Sequence, residues 1–147
     1  MKLGTLTMKA ESIDKGLIAI IEKKNFLNQL GYDDETYDQV EDELHDLEDE
    51  FVEDYGYELE KVLKEVHDEF CPDTDLLSPL SYIAQEYRHV GQNEIGPTFD
   101  VSHDQGVFVE VDNYEQKPTK LVILPNPLRI ILNIDQSTRR KLWSVND

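Results

Sequence analysis

The chain has one cysteine, Cys71, among 147 residues, so no disulfide can form within it. That excludes a disulfide-stapled scaffold and fits a reducing compartment. Long apolar runs are missing as well. The longest near the N-terminus, Leu17 to Ile21, is too short for a signal peptide or a membrane span, and no Asn-x-Ser/Thr acceptor occurs. A cytoplasmic protein is expected. Glycine-rich phosphate loops are absent, both the dinucleotide fingerprint and the P-loop pattern, as is a Gly-x-Ser-x-Gly elbow. Above all the chain is short of basic residues: 14 Lys and Arg stand against 32 Asp and Glu, a net charge of −18. Nucleic acids and anionic membranes both require a basic footprint, so neither is an expected direct partner.

The acids are unevenly spread. Residues 33–75 hold 20 of them against Lys61 and Lys64 and carry −18 alone; 12 acids and 12 bases balance elsewhere. Within this stretch Tyr37, Val40, Leu44, Leu47, Phe51, Tyr55, Leu59, Val62, Val66 and Phe70 recur every three or four residues. That spacing predicts one apolar stripe on a long helix over 35–70. Gly56 is its weak point, yet the stripe keeps phase across it, which favours one helix over a hairpin folded at Tyr55–Tyr57. Cys71-Pro72 ends it.

Before it, Ile13, Leu17, Ile20, Ile21, Leu27 and Leu30 predict a first helix over 9–30, closed by Gly31. Its polar face is mildly basic, with Lys9, Lys15, Lys23 and Lys24. Ser78-Pro79 suits the start of a third helix that faces Leu80, Ile83, Ala84 and Tyr87 inward and stops at Gly91. From Ile95 the period falls to two. Strands are expected over 98–103, 107–111, 120–124 and 128–134, with turns at Asp104-Gln105-Gly106 and Pro125-Asn126-Pro127 and a polar loop over 112–119. A short helix over 137–144 would pack Leu142 or Trp143 on the body. The expectation is a single α+β domain, residues 1–147: three N-terminal helices (about 9–90), a four-stranded antiparallel meander (about 97–134) and a short C-terminal helix.

Catalytic or metal chemistry would have to come from four histidines and the carboxylates. Glu86 and His89 have the Glu-x-x-His spacing of di-metal sites in helical bundles, but that site needs a second copy and two further inward glutamates. Asp42 and His45 offer only the shorter acid. Glu41, His45 and Asp49, four apart, would share one face of the long helix and are reasonable ligand types for a divalent cation. Any histidine in so acidic a stretch has such neighbours by chance, so these remain weak candidates and no metal or other cofactor is expected. His67 and Cys71, also four apart, lack a third group to orient the base. Asp73-Thr74-Asp75 opens like a calcium loop without its glycine or closing glutamate.

The function these features favour is a non-enzymatic interaction protein that docks an acidic helix on a basic partner, as an inhibitor or immunity factor would. Residues 36–70 hold 15 acids. As a helix of about 52 Å they place one charge per about 3.5 Å, near the 3.4 Å of one DNA strand. Glu43, Asp46, Glu50 and Asp54 avoid the apolar stripe and are the docking candidates. The alternatives are a small-molecule or metal-dependent enzyme with its pocket between helices and sheet, and a homo-oligomer that uses the apolar stripe or strand edges between subunits.

Overall fold

In the computed structural model, residues 4–114 and 117–146 are described, and they form two helices followed by six strands in two antiparallel sheets. The first helix, α1 (Gly4–Asn28), starts earlier than the expected 9–30 span. It buries Ile13, Leu17, Ile20 and Ile21 almost completely. The second, α2 (Tyr37–Phe70), runs unbroken through Gly56, which is itself buried. Asp34 caps the entry to α2: its Oδ1 accepts from Thr36 N at 2.9 Å and Thr36 Oγ1 at 2.7 Å. The two helices pack along their length. Phe51 lies against Gly16, and the bridges Lys9–Glu58 (2.8 Å) and Lys23–Glu43 (3.0 Å) flank the contact.

The expected third helix is not formed. Only Pro79–Tyr82 turns, as a single 3-10 turn, and the chain then runs irregularly, with bends at Ile83 and Gln85, into β1 (Arg88–Gln92). Burial explains the correction. Tyr82, Ile83 and Ala84 are consecutive and all buried, which no single face of a helix accommodates at 100° per residue. Their polar atoms are met by other elements instead. Tyr87 Oη donates to Ile123 O at 2.7 Å and accepts from Ala84 N at 2.9 Å.

β1 pairs with β2 (Pro97–Asp100) in a two-stranded sheet, with a bulge between His89 and Gly91. The second sheet has the order β3-β4-β5-β6: β3 (Val107–Phe108), β4 (Lys120–Leu124), β5 (Arg129–Asp135) and β6 (Thr138–Ser144). The expected single meander is therefore two sheets, and Asp104-Gln105-Gly106 links strands that do not pair. β6 occupies the span expected as a C-terminal helix. The reason lies in β5, whose Ile130 to Ile134 are buried on both faces and whose second edge needs a partner. The turn into β6 is set by Asp135 Oδ1, which accepts from Ser137 N at 3.0 Å. β6 is the outer strand, and its Arg139, Arg140 and Lys141 are exposed, as suits an edge protected from further pairing. Of the polar loop expected over 112–119, Asp112–Tyr114 form a 3-10 turn and residues 115 and 116 lie outside the described residues.

The turn at 125–127 joins β4 to β5 and binds two other parts of the fold. Asn126 adopts φ +59° and its peptide bond to Pro127 is cis. Its N–H donates to Asp14 of α1 at 2.8 Å, and its Nδ2 donates to Asn93 Oδ1, Gly96 O and Pro97 O in the β1–β2 hairpin. One cluster of buried apolar residues runs from α1 and α2 through 82–87 to β4 and β5. Among the described residues, no helix is long and apolar enough to cross a membrane.

Candidate functional site

The stripe of α2 packs inward as the spacing requires. Val40, Leu44, Phe51, Leu59, Val62 and Val66 are buried, while Leu47 and Tyr55 are half-buried. The acids therefore have to lie on the flanks and outer face. Asp46, Glu50 and Asp54 are exposed and form no ion pair among the described residues. Glu43 differs. It accepts from Lys23 Nζ at 3.0 Å and Gln39 Nε2 at 3.3 Å, and these hydrogen bonds with the Lys23 charge hold its carboxyl below the usual range. It belongs to the seam between helices rather than to the open face. Glu58 is tied in the same way to Lys9, and Asp68 to Lys64 within the helix.

The weak metal candidates do not assemble. Among the described residues, no group of three or more His, Cys, Asp or Glu side chains is placed to hold a metal ion. Glu41, His45 and Asp49 share α2 without converging. Glu86 and His89 are not on a helix, so their i,i+3 spacing loses its meaning. Glu86 is exposed in the irregular run before β1, and His89 stands on β1 with its ring centroid 6.0 Å from that of Phe99. His89 does line an open groove of about 490 Å³ between α1 and the β1–β2 hairpin, beside Glu22, Asn25 and Phe26, but Glu86 does not.

His67 was missed as a core residue, and its ring is fully committed. Nδ1 lies 3.0 Å from Thr74 O and Nε2 2.9 Å from Tyr82 Oη, which also accepts from Leu77 N at 3.0 Å. The consistent arrangement has Nδ1–H donating to Thr74 and Tyr82 donating to Nε2. No ring nitrogen remains for Cys71. Burial pushes that thiol up to about 11, away from nucleophilic use.

A second polar site brings together residues that no local pattern connects. Arg139 Nη1 donates to Asp100 Oδ1 at 2.7 Å, and Arg88 Nη2 to Asp100 Oδ2 at 3.2 Å. Burial works to raise Asp100, but Arg139, the Val101 N–H and Arg88 together hold it below its ordinary value.

No protein-family model, curated protein or solved structure matches the chain.

Proposed function

We propose that the chain is a non-enzymatic interaction protein that docks the outer face of α2 on a basic partner surface, in the manner of an inhibitor or immunity factor. The observation behind this is the state of the α2 carboxylates. The apolar stripe is used up in the core, while Asp46, Glu50 and Asp54 stand exposed and unpaired among the described residues. An unbroken helix of 34 residues extends about 51 Å, enough for a rigid rod of charge rather than a flexible acidic tail. With Glu43, Glu58 and Asp68 paired, the remaining α2 acids follow one another at about 4 Å along the axis, still close to the 3.4 Å of one DNA strand, so the basic groove of a nucleic-acid-binding protein is a fitting target. Such a face would accelerate encounter more than it deepens affinity.

The test is the triple variant Asp46→Asn, Glu50→Gln, Asp54→Asn, which leaves the Glu43–Lys23 bridge intact. It should melt at the same temperature as the parent or higher, because like-charge repulsion is reduced, and it should lose the partner recovered by affinity purification. Parent binding should weaken as salt rises through the physiological range, where screening acts over about 8 to 10 Å. A partner retained by the variant at undiminished affinity, or one bound independently of salt, would end the proposal.

A further inference from the structure

Two guanidiniums share a single carboxylate where β1, β2 and β6 meet. Asp100 is already occupied at both oxygens by Arg88, Arg139 and the Val101 N–H. Arg129 is attracted first by Asp100 and then by Asp14 and donates to the carbonyls of Pro125 and Pro127, while Asp135, which also lines the cleft, is held by Lys117 at 2.6 Å. Arg88, Arg129, Arg139 and Lys117 therefore face Asp14, Asp100 and Asp135, which leaves one positive charge over on a chain whose net charge is −18. Each guanidinium has five N–H donors. Arg88 uses one on Ser102 Oγ and one on Asp100; Arg139 uses one on Asp100 and one on Val101 O. Both side chains line a polar cleft of about 370 Å³ whose wall includes Ser102, His103 and Thr138.

We propose that this cleft binds an oxyanion of the phosphate type, held between Arg88 and Arg139 with the Ser102 hydroxyl as a neutral donor. Guanidinium forks match such oxygens in geometry as well as charge. A tetrahedral group offers acceptors in several directions, which forks on two different strands can share. The ligand is small. The acidic remainder of the chain repels a polyanion over the screening length, whereas one phosphate group meets only the local positive surplus. This site is separate from α2 and stands or falls independently of the docking proposal.

The experiment follows backbone amides of isotopically labelled protein during titration with inorganic phosphate and, separately, glycerol phosphate, at ionic strength fixed with sodium chloride. Saturable shifts are expected at residues 100–103 and 137–139. Tighter binding of glycerol phosphate would mark an organic phosphate as the ligand, and equal binding a free anion; both sustain the site. Arg88→Gln removes the surplus charge but leaves the Arg139–Asp100 pair, and should weaken binding about tenfold. Asp100→Asn should tighten it several-fold, because the competing internal carboxylate is gone. A cluster that serves only to pin the strands predicts otherwise. Scattered, non-saturating shifts, or folded Arg88→Gln protein binding as the parent does, would overturn the proposal.

Discussion

The contact between Gly16 and Phe51 makes the helix pairing testable through a change of sign. A Cβ added at Gly16 would stand 2.9 Å from Cδ1 and 3.2 Å from Cε1 of Phe51, whose ring is buried and braced by Tyr55 at 5.5 Å between centroids. Gly16→Ala therefore sets two effects against each other. Alanine is favoured over glycine within a helix by about 1 kcal/mol. Overpacking a ring that has little room to yield costs about 1–3 kcal/mol. In the parent the net effect should be neutral to destabilising by about 2 kcal/mol. Phe51→Ala alone should destabilise by about 3–5 kcal/mol through lost transfer energy and a residual cavity. In that background the clash is gone, so Gly16→Ala should now stabilise by about 1 kcal/mol. The coupling energy is the overpacking term itself, about 1–3 kcal/mol, well above the scatter of such cycles. Urea denaturation followed by circular dichroism of the four proteins measures it. If Gly16→Ala had the same effect with and without the Phe51 ring, α1 and α2 would not meet at this point.

Leu63→Ala should be the more damaging of two α2 truncations, at about 2–5 kcal/mol, because Leu63 is wholly buried whereas Leu47 is only half so; equal losses in chemical denaturation would contradict the rotation assigned to the helix. Cys71 should resist thiol reagents at pH 8 and react only on unfolding. Its thiol is raised from 9.0 to about 11 in the folded state, so the unfolded chain gives up the proton first. Stability should therefore fall as pH climbs from about 9 to 11, a loss that Cys71→Ala removes. Rapid labelling of the native protein would refute the burial.

The helical half was the more legible because its signal is local. A residue every third or fourth position identified Leu44, Phe51, Leu59, Val62 and Val66, all of which are buried. That ladder takes one residue per turn, whereas a helix packed on a globular core buries a stripe at least about 100° wide. Leu63 and His67 fall in the extra width, and they lie at the end of α2 where the 3-10 turn packs against it, with Tyr82 meeting His67 edge to face at 5.9 Å. The same local logic misled at Ser78-Pro79. A good cap and a helical first residue began a turn there, and consecutive burial of Tyr82 to Ala84 against distant strands then overrode it. Likewise Trp143 pairs opposite Ile130 in β6 because β5 needs an edge partner, not because residues 138–144 prefer a strand.

The arginine cleft had no local signal at all. Asp100 lies 12 residues from Arg88 and 39 from Arg139; the pairing of β1 with β2 sets Arg88 opposite Asp100, and the meeting of the two sheets brings Arg139 of β6 to it. Charge counted along the sequence recorded everything outside residues 33–75 as neutral, which is true as a sum and hides the arrangement. Folding separates what the sum cancels. The acids of α2 keep one side of the molecule negative, and Lys9 and Lys23 of α1 are spent on Glu58 and Glu43. Arg88 of β1 and Arg139 of β6 meet on one carboxylate, Asp100. A protein with this separation can present opposite charges to two ligands at once. If both sites act, salt should weaken the two bindings in parallel, whereas Asp46→Asn with its companions and Arg88→Gln should each affect one and spare the other.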